Sequence, residues 1–111
     1  PGHSPGSCCF HLADEKLLFS GDTLFASSVG NWRFPGGSFE AIIRSVEEKL
    51  MVLPDDTHVV PGHGPETTIG FERKNNPYLQ PDSLAEIRLK ASKEPGKLRM
   101  LGIMILAVFG F

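Results

Sequence analysis

The clearest periodicity in the chain runs from Phe39 to Leu50. Phe39, Ile42, Ile43, Val46 and Leu50 recur every three to four residues, and Glu40, Arg44, Glu47 and Glu48 take the positions between. That spacing predicts an amphipathic helix with one buried stripe. Ser38 is suited to cap its amino terminus, Glu40 to sit in the first turn, and Pro54-Asp55-Asp56 to end it. Upstream, Cys8 to Ala13 reads as a strand, Asp14-Glu15 as a hairpin turn and Lys16 to Ser20 as the returning strand, which delivers Gly21-Asp22 at its end. Residues 26–37 read as loop, with Gly30, Pro35, Gly36 and Gly37 breaking any pattern. Downstream, Thr57 to Val60 predicts a short strand leading into Pro61-Gly62-His63. Pro65 is suited to open a short helix to about Lys74, and Asn75-Asn76-Pro77 to stop it.

Strand, strand, helix, strand, helix is an α/β succession. It divides the chain into residues 1–80 and a divergent tail, residues 81–111. In the tail, Leu84 to Lys90 suits one or two helical turns, Glu94-Pro95-Gly96 is a breaker, and Met100 to Phe111 is apolar throughout. As a helix that last run spans ~18 Å, short of the ~30 Å hydrocarbon core of a bilayer. A truncated membrane segment, a buried element and a tail from an unusual splice or gene model all fit it. The third is favoured, and no membrane association is expected.

With 111 residues and 41% hydrophobic content, the chain is one domain or part of one. A net charge of −2 supplies no electrostatic footprint for nucleic acid, and the one basic stretch, Lys90 to Arg99, is interrupted by Glu94. Cys8 and Cys9 are adjacent, so in a strand their side chains diverge and cannot bridge one another. They are expected as two buried thiols, and the lack of a disulfide framework favours a reducing, soluble intracellular setting. The chain starts at Pro1, inside its first motif, so targeting cannot be read from that end.

The chemistry lies in three Gly/Pro-rich islands: Pro1-Gly2-His3-Ser4-Pro5-Gly6-Ser7, Ser20-Gly21-Asp22-Thr23-Leu24-Phe25 and Pro61-Gly62-His63-Gly64-Pro65-Glu66-Thr67-Thr68. Each places a His or an Asp in a turn beside a strand-like run. Imidazole and carboxylate are the donors that divalent zinc, iron or manganese accept, and such a site is not strongly selective among them. An Asp after a glycine at a strand end is also the ordinary composition of a turn.

In combination, the three islands resemble the third, fourth and fifth motifs of the metallo-β-lactamase-fold hydrolases, in their glyoxalase II-like (hydroxyacylglutathione hydrolase-like) branch. The resemblance covers residues 1–80 and implies the carboxyl half of a four-layer αβ/βα sandwich. It implies two metal ions, zinc first, with His3 completing the ligands of one, His63 serving the other and Asp22 bridging both as the catalytic carboxylate. The family's opening His-x-His-x-Asp-His motif is not in the chain. The expectation is therefore a fragment holding half of the metal ligands.

The implied reaction is hydrolysis of a small thioester or ester, with an acylglutathione such as S-lactoylglutathione the first substrate to test. The stretch Gly70 to Tyr78 also resembles the short-tailed bacterial-type branch, and Arg73 and Lys74 are candidate contacts for an anionic thiol substrate, although cations also suit a helix end. One departure stands out. The family's Gly-Arg-Thr/Ser-Asp stretch is replaced by Gly30-Asn31-Trp32-Arg33, which removes the acid and displaces the Arg. His11 and His58 match no family ligand position. Two other readings stay open: a truncated, non-catalytic product with at most a binding role, and the persulfide dioxygenases, a sister class using one iron. Against the latter stand Ser4-Pro5-Gly6-Ser7 and Thr23-Leu24-Phe25, where that class usually differs.

Overall fold

The computed structural model describes residues 1–93, so the apolar run from Met100 lies outside the described residues. The helix α1 spans Phe39–Ser45 and continues into a wider π-type turn at Val46–Leu50, where Met51 N–H donates to Val46 O at 2.9 Å. Ser38 caps it as expected, its side chain accepting from Ala41 N–H at 3.2 Å. Phe39, Ile42, Ile43, Val46 and Leu50 are all buried. Each such side chain contributes roughly 1.5–3 kcal/mol when removed from water.

That stripe packs on a four-stranded sheet of order β1-β2-β5-β6, formed by β1 (Phe10–Leu12), β2 (Leu17–Gly21), β5 (His58–Pro61) and β6 (Thr67–Thr68). β1 and β2 pair antiparallel, with Phe10 opposite Phe19. β2 and β5 run parallel, and α1 lies in the crossover that a parallel pair requires. Leu18 of β2 and Val59 of β5 join α1 in the core, while Phe10, Leu12 and Phe19 on the outer face stay exposed.

Four local expectations are corrected. The region read as loop contains a two-stranded hairpin, β3 (Leu24–Phe25) with β4 (Ser28–Val29). Two-residue strands are too short to show an alternation, and the turn uses Ser27 at φ 62 where a glycine or Asn would have signalled it. The next helix, α2, starts at Ile69, not Pro65, and ends at Asn75. Thr67 and Thr68 pair with Val59 and His58, as β-branched residues favour, and Thr68 then caps the helix by accepting from Phe71 N–H. Helix α3 spans Pro81–Lys93, longer than the one or two turns expected, with Leu84 buried against the core and Arg88 paired with Glu40 at 2.9 Å.

The fourth correction concerns the thiols. Cys8 is exposed and Cys9 only half-buried, because they precede β1, an edge strand paired on one side. Cys9 Sγ approaches Ser20 O at 3.5 Å, and burial pushes its pKa above the ordinary thiol value. Both line a cavity of about 320 Å³ with His11, Leu18 and Lys49. Among the described residues no helix is long and apolar enough to cross a membrane.

Candidate metal centre

β2 ends at Gly21 and hands Asp22 to the turn that leads into β3; β5 ends at Pro61 and hands over Gly62-His63. Because β2 and β5 are parallel neighbours, both turns emerge at the same end of the sheet. A hydrogen bond of 2.8 Å from Gly62 N–H to Gly21 O locks them together. Glycine suits Gly62, because a Cβ there would lie 3.1 Å from both Asp22 Oδ1 and Gly21 O, a tight contact.

His3 arrives from the other side. Its segment is anchored on α1, with Ser38 N–H donating to Gly2 O and Ser45 Oγ donating to Pro1 O, each at 2.8 Å.

The three predicted side chains meet around Asp22. Its Oδ1 lies 2.9 Å from His63 Nδ1 and its Oδ2 lies 3.6 Å from His3 Nε2. His3 Nδ1 lies 2.8 Å from Asn31 O. A carbonyl only accepts, so Nδ1 carries the proton and the neutral ring turns its Nε2 lone pair toward Asp22 Oδ2. Two acceptors facing each other at that separation call for a cation or a proton between them. Two donors ~2.1 Å from one tetrahedral ion sit ~3.4 Å apart, close to the spacing of this pair. On the other side of Asp22, His63 Nδ1 donates to Oδ1, leaving Nε2 of the neutral ring as a donor atom for a metal. The donors thus fit a divalent ion in kind and spacing. They fall short in number: among the described residues no group of three or more His, Cys, Asp or Glu is arranged to hold an ion.

The centre is open. His63 is 79% exposed and Asp22 39%, and the Phe25 ring meets the His63 ring edge-on at 6.1 Å. Gly30 N–H donates to Thr23 O beneath it, and a Cβ on Gly30 would fall 1.6 Å from Asp22 O, so only glycine fits.

The remaining candidates lie elsewhere. Arg73 donates through Nη2 to Met51 O at 2.6 Å and Leu53 O at 3.0 Å and pairs with Asp55, which ties α2 to the end of the α1 segment. Lys74 is exposed on α2. His58 pairs with Glu66, and His11 sits in the exposed edge strand. In the departing stretch, Arg33 stacks over Trp32 at 4.5 Å, and Asn31 contributes the carbonyl that orients His3. That role belongs to backbone, so residue type carried no sign of it.

Residues 1–63 match the metallo-beta-lactamase superfamily. The chain belongs to that superfamily. It is 45% identical over 84 residues to the probable metallo-hydrolase YqgX of Bacillus subtilis, covering 76% of this chain and 40% of that protein. It is 43% identical over 83 residues to the hydroxyacylglutathione hydrolase GloC of Haemophilus influenzae, covering 75% and 39%. Among solved structures it resembles the BLEG-1 B3 metallo-beta-lactamase (TM-score 0.70, 46% identity, 72% of this chain and 38% of that one). It also resembles TTHA1623 in a di-iron-bound form (0.68, 47%, 71% and 39%) and ETHE1 from Myxococcus xanthus (0.67, 32%, 71% and 36%). The architecture is therefore a fragment of the metallo-β-lactamase fold, and the chain spans about two fifths of the length of these relatives.

Proposed function

We propose that His3, Asp22 and His63 are this chain's share of a two-metal hydrolase centre acting on thioesters or esters, with an acylglutathione as the first substrate class. The observation that carries this reading is the Asp22 carboxylate, which turns one oxygen toward His3 and the other toward His63. Likeness to a hydroxyacylglutathione hydrolase and a metallo-hydrolase supports the reaction class. Zinc, iron and manganese all suit such donors, and the di-iron neighbour supports iron.

Divalent ions bound there would supply an activated water and a Lewis acid for the carbonyl oxygen. Asp22 Oδ1 orients the His63 ring. Asn31 O fixes the His3 tautomer, and Gly30 and Gly62 let the backbone close around the carboxylate. The open face beside His63 and Phe25 is where a small substrate gains access. Ligands beyond these three complete the two ions, since a catalytic zinc keeps three protein ligands of its own.

A second reading, a non-catalytic chain with at most a binding role, is favoured by the lack of a three-donor group among the described residues. One experiment separates the two. S-lactoylglutathione hydrolysis is followed with zinc, iron or manganese, for the chain alone and for the chain joined behind the amino-terminal region of a relative such as the Haemophilus influenzae protein. Metal-dependent turnover in the joined protein, lost in Asp22→Ala, supports the hydrolase. Metal uptake without turnover on any thioester or ester supports the binding role.

A further inference from the structure

Glu72 is a fully buried carboxyl group in α2 that has no part in the centre as described above. Its Oε1 accepts from Ser27 N–H at 2.7 Å and from Asn76 Nδ2 at 2.9 Å, and its Oε2 accepts from Thr67 Oγ1 at 2.6 Å. Asn76, also fully buried, donates from the same nitrogen to Ser28 O at 3.1 Å. All three contacts on Glu72 are accepted ones, which suits an ionised carboxylate.

The partners are not scattered. Ser27 lies in the turn of the β3–β4 hairpin and Ser28 begins β4; the first strand starts two residues after Asp22 and the second ends just before Gly30 and Asn31. Asn31 O in turn fixes the His3 ring. Thr67 begins β6, on the far side of the turn that carries His63. One buried side chain therefore grips the structural supports of all three centre residues, while touching none of them. This grip adds to the β2–β5 pairing and the Gly62–Gly21 hydrogen bond, and it matters because β3, β4 and β6 are two residues each and have little sheet pairing of their own.

We propose that Glu72 is the positioning residue that holds the Asp22 and His3 side of the centre in register with the His63 side. The proposal rests on the reading of these three residues as a metal centre. Its requirement is for shape and hydrogen bonding rather than for charge. A glutamine can keep its oxygen on Ser27 and Asn76 and turn its amide toward Thr67, whose hydroxyl then accepts instead of donating.

The test uses the whole 111-residue chain, with two readouts: imidazole resonances of His3 and His63 by NMR without metal, and zinc affinity by titration. Glu72→Ala is expected to shift or broaden both imidazoles and to weaken zinc, by less than the ~10–100-fold lost when a ligand's own hydrogen-bond partner is removed. Glu72→Gln is expected to restore both readouts. Leu50→Ala, a core truncation that leaves every Glu72 hydrogen bond in place, is expected to lower stability and leave both unchanged. Thr67→Val keeps the strand and removes one hydrogen bond, so it is expected to move His63 and not His3. That asymmetry also decides the matter if Glu72→Ala fails to fold. The proposal is overturned if Glu72→Ala matches Leu50→Ala, or if Thr67→Val leaves His63 in place. If the wild-type chain binds no zinc but the imidazoles still respond, the positioning role stands, and the metal reading is decided on the chain joined behind a relative's amino-terminal region.

Discussion

Asp22 Oδ1 and His63 Nδ1 lie 2.9 Å apart although 41 residues separate them in the chain. The contact exists because two parallel strands end side by side. In a metal-loaded protein completed by further ligands, Asp22→Ala should remove the carboxylate that accepts from His63 and faces His3. Its loss of zinc affinity and of thioester turnover should exceed the ~10–100-fold typical of outer hydrogen-bond partners. His11→Ala, in the exposed edge strand, should stay near wild type. Zinc stoichiometry and S-lactoylglutathione hydrolysis measured on both variants check this, and equal losses would sink the role given to Asp22.

Gly30→Ala tests the close approach beneath the centre. A Cβ 1.6 Å from Asp22 O cannot be accommodated without moving the backbone. Overpacking of this kind costs about 1–3 kcal/mol, so the urea midpoint should fall. A folded Gly30→Ala chain of wild-type stability would contradict the geometry.

Arg73 offers a choice between substrate contact and structural tie. Its guanidinium donates to Met51 O and Leu53 O, so Arg73→Ala leaves two carbonyls without that donor. A stability loss of roughly 1–3 kcal/mol is expected. KM for an acylglutathione in a completed enzyme should hardly change. A raised KM with unchanged stability would support the substrate role.

The two cysteines should differ in reactivity. Cys8 is exposed, while burial raises the Cys9 pKa, so at a pH near 8 less of Cys9 is thiolate than in a free cysteine. Timed alkylation with mass spectrometry should label Cys8 first, and Cys9 labelling should climb with pH to a higher value than a free thiol requires. Equal rates at pH 8 would show that Cys9 is not shielded.

Long, periodic features were legible in the amino-acid sequence. The stripe from Phe39 to Leu50 and the Ser38 cap stand as read, since twelve consecutive residues obey one period. The convergence of His3, Asp22 and His63 was legible only through their Gly/Pro flanks, because spacing alone does not reveal which strands become neighbours. The β3–β4 hairpin escaped notice: each strand is too short to alternate, and Ser27 hides a left-handed turn. Glu72 also escaped notice, since a charged residue in a short helix reads as solvated until its three partners are seen. The thiols were misjudged because burial depends on what covers an edge strand, which lies beyond local pattern.

The parallel pairing of β2 with β5 also sets an order of events. Phe19 meets Val60 only after the whole intervening crossover has been drawn in, and closing so long a loop is entropically slow compared with winding α1. The Asp22 and His63 turns can therefore come together only once that loop has closed. During synthesis, no chain that ends before about His63 contains both halves of the contact, so the junction of the two turns must await the whole crossover.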